Sequence, residues 1–332
     1  MATPLQFGLD TFGDVTRGPD GALESQAKAL RDVVEHAVLA EQVGIDAFGV
    51  GEHHRADFAV SAPEVVLAAI AARTSRIRLG SAVTVLSTDD PVRVFQRFST
   101  LDALSNGRAE VILGRGSFTE SYPLFGYDLS DYDELFETKL ARFADLLKGQ
   151  DKRVYPPIEH GTLRTWVGVG GSPESVVRAA RYGLPLTVAI IGGNPLRFRP
   201  YVDVYLEALG RANHPVQPVA VHSPGHIAPT DAEAKDELWP HYFAMMSRIG
   251  AERGWGAVTR DHFEREAGPD GALCAGSPDT VAAKIARTVK ALGLSRFDMK
   301  YSAGTLPDAA MRRSIELFGT EVVPRVRAAL GR

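Results

Sequence analysis

Residues 77–116 constrain the fold most strongly, because they read as strand, turn, helix, turn, strand. The apolar, β-branched run Ile-Arg-Leu-Gly-Ser-Ala-Val-Thr-Val-Leu leads into Asp90-Pro91, and proline at a first helical position begins a helix cleanly. Asn106-Gly107 ends that helix, and a second apolar run closes in Gly114-Arg115-Gly116. Two buried strands joined by a helix must lie parallel, and such units hold ligands where their strands end.

The same alternation recurs about eight times. Strands are expected at residues 5–9, 47–50, 77–85, 109–113, 165–169, 186–191, 216–227 and 296–300, with helical periodicity between them. Eight repeats suit closure, so the expected fold is α/β, a (β/α)8 TIM barrel forming one domain over residues 1–332. Its insertions fall after strands 4 and 7, at residues 117–132 and 251–275, the second Gly-rich and irregular. A doubly wound sheet is the alternative, but the first strand–helix turn lacks the glycine pattern of a dinucleotide fold.

A net charge of -4 with dispersed Lys and Arg favours neither nucleic acid nor an anionic membrane surface. The single cysteine, Cys274, excludes an internal disulfide and suits a reducing cytoplasm. The first residues show no basic-then-apolar leader pattern and no apolar run approaches membrane-spanning length, so a cytoplasmic protein is expected.

Three constellations could carry chemistry. Glu52-His53-His54 follows the second strand. Adjacent residues of an extended segment face opposite ways, so the two imidazoles do not converge on one ion, and the other histidines (His36, His160, His214, His222, His226, His241 and His262) are scattered; no metal is expected. One His would instead face the barrel mouth, oriented by Glu52 or His54. Gly170-Gly171-Ser172-Pro173-Glu174-Ser175 follows a strand and opens a helix, where amide groups and the helix dipole favour a phosphate. Gly170, Gly171 and the hydroxyls of Ser172 and Ser175 are the donors, and Gly192 and Gly193 could line the same site. The similar Gly276-Ser277-Pro278-Asp279 is explained by capping alone. Arg115 could add a charge-assisted phosphate contact.

Glu52-His53-His54, residues 80–86 followed by Asp90-Pro91-Val92-Arg93, Ser105-Asn106-Gly107-Arg108, Gly114-Arg115-Gly116 and residues 314–319 together resemble the bacterial luciferase-like flavin monooxygenases. The resemblance spans nearly the whole chain. It implies a barrel holding reduced FMN, with His53 beside the flavin ring as a candidate general base. It also implies a non-prolyl cis peptide at Ala82-Val83 backing the ring, Arg115 on the flavin phosphate, and a phosphate loop at Gly170-Gly171-Ser172. The Gly-Gly-Ser-Pro loop departs from the Glu-Ser of the luciferase proper, so light emission is not implied.

The leading expectation is an FMN-dependent monooxygenase of a small organic molecule, served by a separate flavin reductase and forming a homodimer. F420-dependent dehydrogenation on the same barrel, a non-catalytic flavin-binding subunit, and a metal hydrolase using Glu52 and His53 are the alternatives.

Overall fold

The computed structural model describes residues 4–18, 20–149, 151–159 and 161–331; His160 lies outside them. Among these residues ten strands run in chain order: β1 (Gln6–Thr11), β2 (Ala47–Val50), β3 (Arg78–Ser81), β4 (Thr84–Val85), β5 (Ala109–Gly114), β6 (Arg164–Val169), β7 (Leu186–Ala189), β8 (Val219–Ile227), β9 (Cys274–Gly276) and β10 (Arg296–Lys300). All pairings among them are parallel. The ring runs β1-β2-β3-β5-β6-β7-β8-β10 and closes on β1. It is an eight-stranded (β/α)8 barrel; β4 continues the line of β3 beyond Ala82-Val83, and β9 pairs alongside the end of β8.

Alternation along each strand divides two interiors. Phe7, Leu9, Val111, Leu113, Val221, Phe297 and Met299 belong to the large apolar core shared with the helices. The residues between them face inward: Asp10, Ile112, His222, Arg296, Asp298 and Lys300 all line one central cavity. Below that cavity Ile112, Trp166 and Ala220 pack together, with Val83 against them.

The surrounding helices start where side chains satisfy their first amides. Asp90 accepts hydrogen bonds from Val92 N and Arg93 N at 2.9 Å, and Pro91 needs none, so helix Pro91–Leu104 begins there. Such a cap contributes about 1 kcal/mol. Asn106 and Gly107, both at positive φ, end it.

The insertions fall after the fourth and seventh barrel strands, β5 and β8. The second is more regular than expected from its glycines. Residues 251–275 contain helix Arg260–Ala267 and the start of β9. Thr259 caps this helix by accepting from His262 N, and Phe263 and Ala267, four residues apart, pack on Leu238, Tyr242 and Leu273. Gly254 and Gly268 cap helices rather than interrupt them. At the C-terminal end the helix Asp308–Leu317 passes through a π-helical turn, Phe318–Val322, into Val323–Ala329. Among the described residues no helix is long and apolar enough to cross a membrane.

Candidate active site

A cavity of about 420 Å3 opens at the carboxyl ends of the barrel strands. Its floor is set by the inward residues of three neighbouring strands. From β10, Arg296 pairs with Glu110 Oε1 and lies 2.7 Å from Asp298 Oδ1, all three being almost fully buried. Lys300 Nζ reaches Asp14 Oδ2 at 3.1 Å and also bonds Ser302, and it lies 4.5 Å from the Phe12 ring centroid. From β8, His222 Nδ1 is 2.7 Å from Asp10 Oδ2 of β1. Burial pushes the Asp298 carboxyl up to about 6 against the opposing pull of Arg296. None of these residues belongs to a motif that points to function in the sequence. The available signal was Arg-Phe-Asp-Met-Lys at 296–300, in which charges alternate with core residues along a strand buried at every position.

His53 lines the cavity, as expected of it, but its surroundings differ from expectation. Glu52 does not orient it. Glu52 Oε2 accepts from Val85 N at 2.8 Å and Oε1 meets His54 Nε2 at 3.0 Å, so the Glu52–His54 pair ties the loop after β2 to β4. His53, facing the other way, is held by Phe12 and Phe58, with ring centroids 4.2 and 4.6 Å away, and by its own amide on Val60 O. Its Nδ1 is buried with no hydrogen-bond partner. Burial pushes the His53 pKa down to about 4, which leaves the imidazole neutral near pH 7. Among the described residues no group of three or more His, Cys, Asp or Glu could hold a metal ion.

The Ala82-Val83 peptide is cis, and both residues line the cavity. Val83 fits because Gly114 of β5 and Gly168 of β6 lack side chains. A Cβ on Gly114 would lie 2.6 Å from Val83 Cγ2, and one on Gly168 2.9 Å from Val83 Cγ1. We expect Gly114→Val to destabilise the protein by about 1–3 kcal/mol through overpacking, with urea unfolding as the measurement.

Arg115 also lines the cavity. Its Nη1 donates to Asp133 Oδ1 at 2.6 Å and its Nη2 to Ser175 Oγ at 3.3 Å, while Tyr132 stacks at 4.9 Å. Ser172 caps helix Pro173–Arg181 by accepting from Ser175 N and donates its hydroxyl to Ser175 Oγ at 2.9 Å. Gly170 borders the cavity, and a Cβ there would meet nothing within 4 Å. Gly171, Ser172 and Ser175 do not line it; Ser175 is linked to it through Arg115. These groups form one cationic, hydroxyl-bearing corner at a helix N-terminus. Asp133, whose side chain is 72% exposed, is an exchangeable partner for the arginine. The residues present therefore fit a phosphate.

Gly192 and Gly193 do not join that corner. Gly193 N donates to both carboxylate oxygens of Glu266, at 2.9 and 3.1 Å, and Gly192 O accepts from Arg197. Ile191, not the glycines, reaches the cavity. Glu266 comes from the second insertion, so this competition was invisible in local sequence.

Residues of both insertions line the mouth. Arg55 pairs with Glu120 from the first, with Glu252 from the second at 2.7 Å, and with Asp57 at 3.1 Å. Phe118 lies between the guanidinium groups of Arg55 and Arg253, 4.5 and 4.8 Å from them. One cavity wall is apolar, built by Leu238, Tyr242, Met245 and Ile249 of helix Asp231–Arg253 and by Trp255.

Fold and site together define a (β/α)8-barrel enzyme whose chemistry is enclosed at the carboxyl ends of its strands. Residues 11–296 match the luciferase-like monooxygenase family, and the chain belongs to it. It is 30% identical over 242 residues to an N-acetyl-S-alkylcysteine monooxygenase of Bacillus subtilis, covering 70% of this chain and 67% of that one. Among solved structures, the oxygenating constituent of 3,6-diketocamphane monooxygenase from Pseudomonas putida, in complex with FMN, shares the fold with a TM-score of 0.76 at 21% identity, over 97% of this chain and 99% of the other. An F420-dependent secondary alcohol dehydrogenase in complex with an F420-acetone adduct shares it with a TM-score of 0.74 at 18% identity, over 98% and 99%.

Proposed function

We propose that this chain is a monooxygenase that uses reduced FMN and molecular oxygen on a small organic substrate. The observation that carries this reading is the convergence of His53, Val83, Gly170 and Arg115 on one cavity. Family membership supports the reaction class, and the phosphate-fitting corner supports a phosphate-bearing flavin. Bound reduced flavin would supply the electrons and the site of oxygen activation.

The residues of the chain supply the remainder. Arg115, Ser175 and the amides around Gly170 hold the phosphate by charge and hydrogen bonds. The Ala82-Val83 backbone supports the ring system. Phe12, Phe58 and Phe118 keep water from the reacting centre, which strengthens every polar interaction there. His53, neutral at working pH and buried at Nδ1, takes or returns a proton as the general base. A separate reductase delivers the reduced flavin, and the chain works as a homodimer in the cytoplasm.

Arg115→Ala is the test. We expect the dissociation constant for reduced FMN to rise about 10- to 100-fold, the loss of one or two charge-assisted hydrogen bonds. Anaerobic absorbance titration reads it, and unchanged affinity would overturn the reading. The F420 alternative is favoured by the shared fold of the alcohol dehydrogenase. A competition titration in which F420 displaces FMN at lower concentration would establish it instead.

A further inference from the structure

The roles given to His53 and His54 leave the third imidazole of the cavity, His222, unused. His222 sits on the inner face of β8, in register with Asp298 of β10, and its Nδ1 is committed to Asp10 Oδ2 at 2.7 Å. Its ring lies nearly parallel to Phe12, at 10° with centroids 6.3 Å apart, while Phe12 meets His53 at 4.2 Å. One phenyl ring therefore stands between two histidines that line the same cavity.

We propose that His222, oriented by Asp10, donates a hydrogen bond from Nε2 to the carbonyl oxygen of an otherwise apolar substrate. The inference rests on the reading that this cavity is where substrate is oxidised, and it adds the substrate's chemical class.

Three observations carry it. With Nδ1 engaged by Asp10, Nε2 is the ring nitrogen left for a ligand, and a carboxylate behind an imidazole fixes its orientation. The other cations of the floor are already engaged: Lys300 by Asp14 and Ser302, and Arg296 by Glu110 and Asp298. The charged groups around His222 are Asp10 from β1 and Asp298 and Lys300 from β10. Burial lowers its pKa, but Asp10 and the more distant Asp298 outweigh burial and Lys300, so the pKa is raised above the usual value. The protonated ring then donates from both nitrogens. The neutral ring keeps its proton on Nδ1, facing Asp10, and offers only a lone pair at Nε2.

The third observation is the opposite wall. Leu238, Tyr242, Met245, Ile249 and Trp255 face the same space. A ligand filling it must be apolar over most of its surface and polar at the end that reaches His222. Since acidic and basic groups of the floor pair with one another, a neutral carbonyl fits better than an anion.

The test compares 2-acetylnaphthalene with 2-isopropylnaphthalene, which has a similar shape and no acceptor, by calorimetric titration at pH 6 with and without FMN. We expect the ketone to bind about tenfold tighter or more, the contribution of a charge-assisted hydrogen bond. This preference should disappear in His222→Phe. In the wild type it should fade as pH rises and the Nε2 proton leaves, and Asp10→Asn should move that loss to lower pH. Should His222→Phe not fold, nitrogen NMR of the wild-type imidazole decides, with Nε2 expected to remain protonated above pH 6.5. Equal affinity for ketone and hydrocarbon in the wild type, a preference surviving in His222→Phe, or Nε2 deprotonated at pH 6 would each overturn the proposal. Arg115→Ala changes flavin affinity without touching this preference, so the two readings fail separately.

Discussion

His53→Ala is expected to lower turnover by about 100- to 10,000-fold, the usual contribution of a positioned general acid or base, while flavin affinity changes only a few-fold. The reason is the division between corners of the cavity: Arg115 and Ser175 form the corner that fits a phosphate, and His53 stands apart from it among Phe12, Phe58 and Phe118. An alanine there also removes a packed ring, so His53→Phe is the control for shape. It restores the ring without a nitrogen and should stay as slow as alanine. Single-turnover kinetics with pre-reduced flavin give the measurement; a His53→Phe enzyme near wild-type rate would show that the ring matters only for packing.

The pH dependence of the same residue has a definite sign. His53 titrates at about 4 when folded, below the ordinary 6.5, because burial disfavours the cation. The unfolded chain therefore binds a proton that the folded one does not between those values. Its contribution to stability is complete above about pH 6.5 and is lost as pH falls toward 4. The acid limb that His53 imposes on the rate should lie near pH 4, well below the range where His222 changes charge.

The second large effect is on stability. Arg296→Met is expected to destabilise the barrel by about 3–5 kcal/mol, as when one partner of a buried ion pair is removed. Arg296 is 2% exposed and Glu110 fully buried, with Asp298 completing the group. Without the guanidinium both carboxyl groups lose their cation inside the barrel. Asp298 already titrates at about 6, raised by burial and held down by Arg296. In the variant its folded pKa rises further above its unfolded value. A group with raised folded pKa binds a proton that the unfolded chain has released, so stability falls as pH rises from about 4 through the folded pKa. The loss from Arg296→Met should thus be larger at pH 8 than at pH 5.5. Urea unfolding at the two pH values checks this, and an equal loss at both would refute the assignment of the penalty to uncompensated carboxylates.

Much of the architecture was legible because it is written locally. Apolar runs of strand length, Asp90-Pro91 as a helix start and Asn106-Gly107 as a stop each act within a few residues, and eight such units leave few topologies. His53, Ala82, Val83, Arg115 and Gly170 sit at strand ends, where a parallel barrel must place them, and all reach the cavity. The misplaced expectations depended on distant partners. Gly193 was reasonable as a lining residue of the phosphate site until Glu266 arrived from 73 residues away. Glu52 was reasonable as the orienter of His53 until Val85 N and His54 claimed its oxygens.

By itself, then, the sequence determined the βα alternation, the barrel closure and the strand-end positions of the cavity residues, since alternation and turn chemistry operate over neighbouring residues. Only the tertiary structure decided which charges meet. Asp10 and His222 are 212 residues apart, and Glu110 and Arg296 are 186 apart. Their pairing, and the protonation that follows from it, exists because closing the sheet brings inward side chains of distant strands into a buried space where charges must find partners.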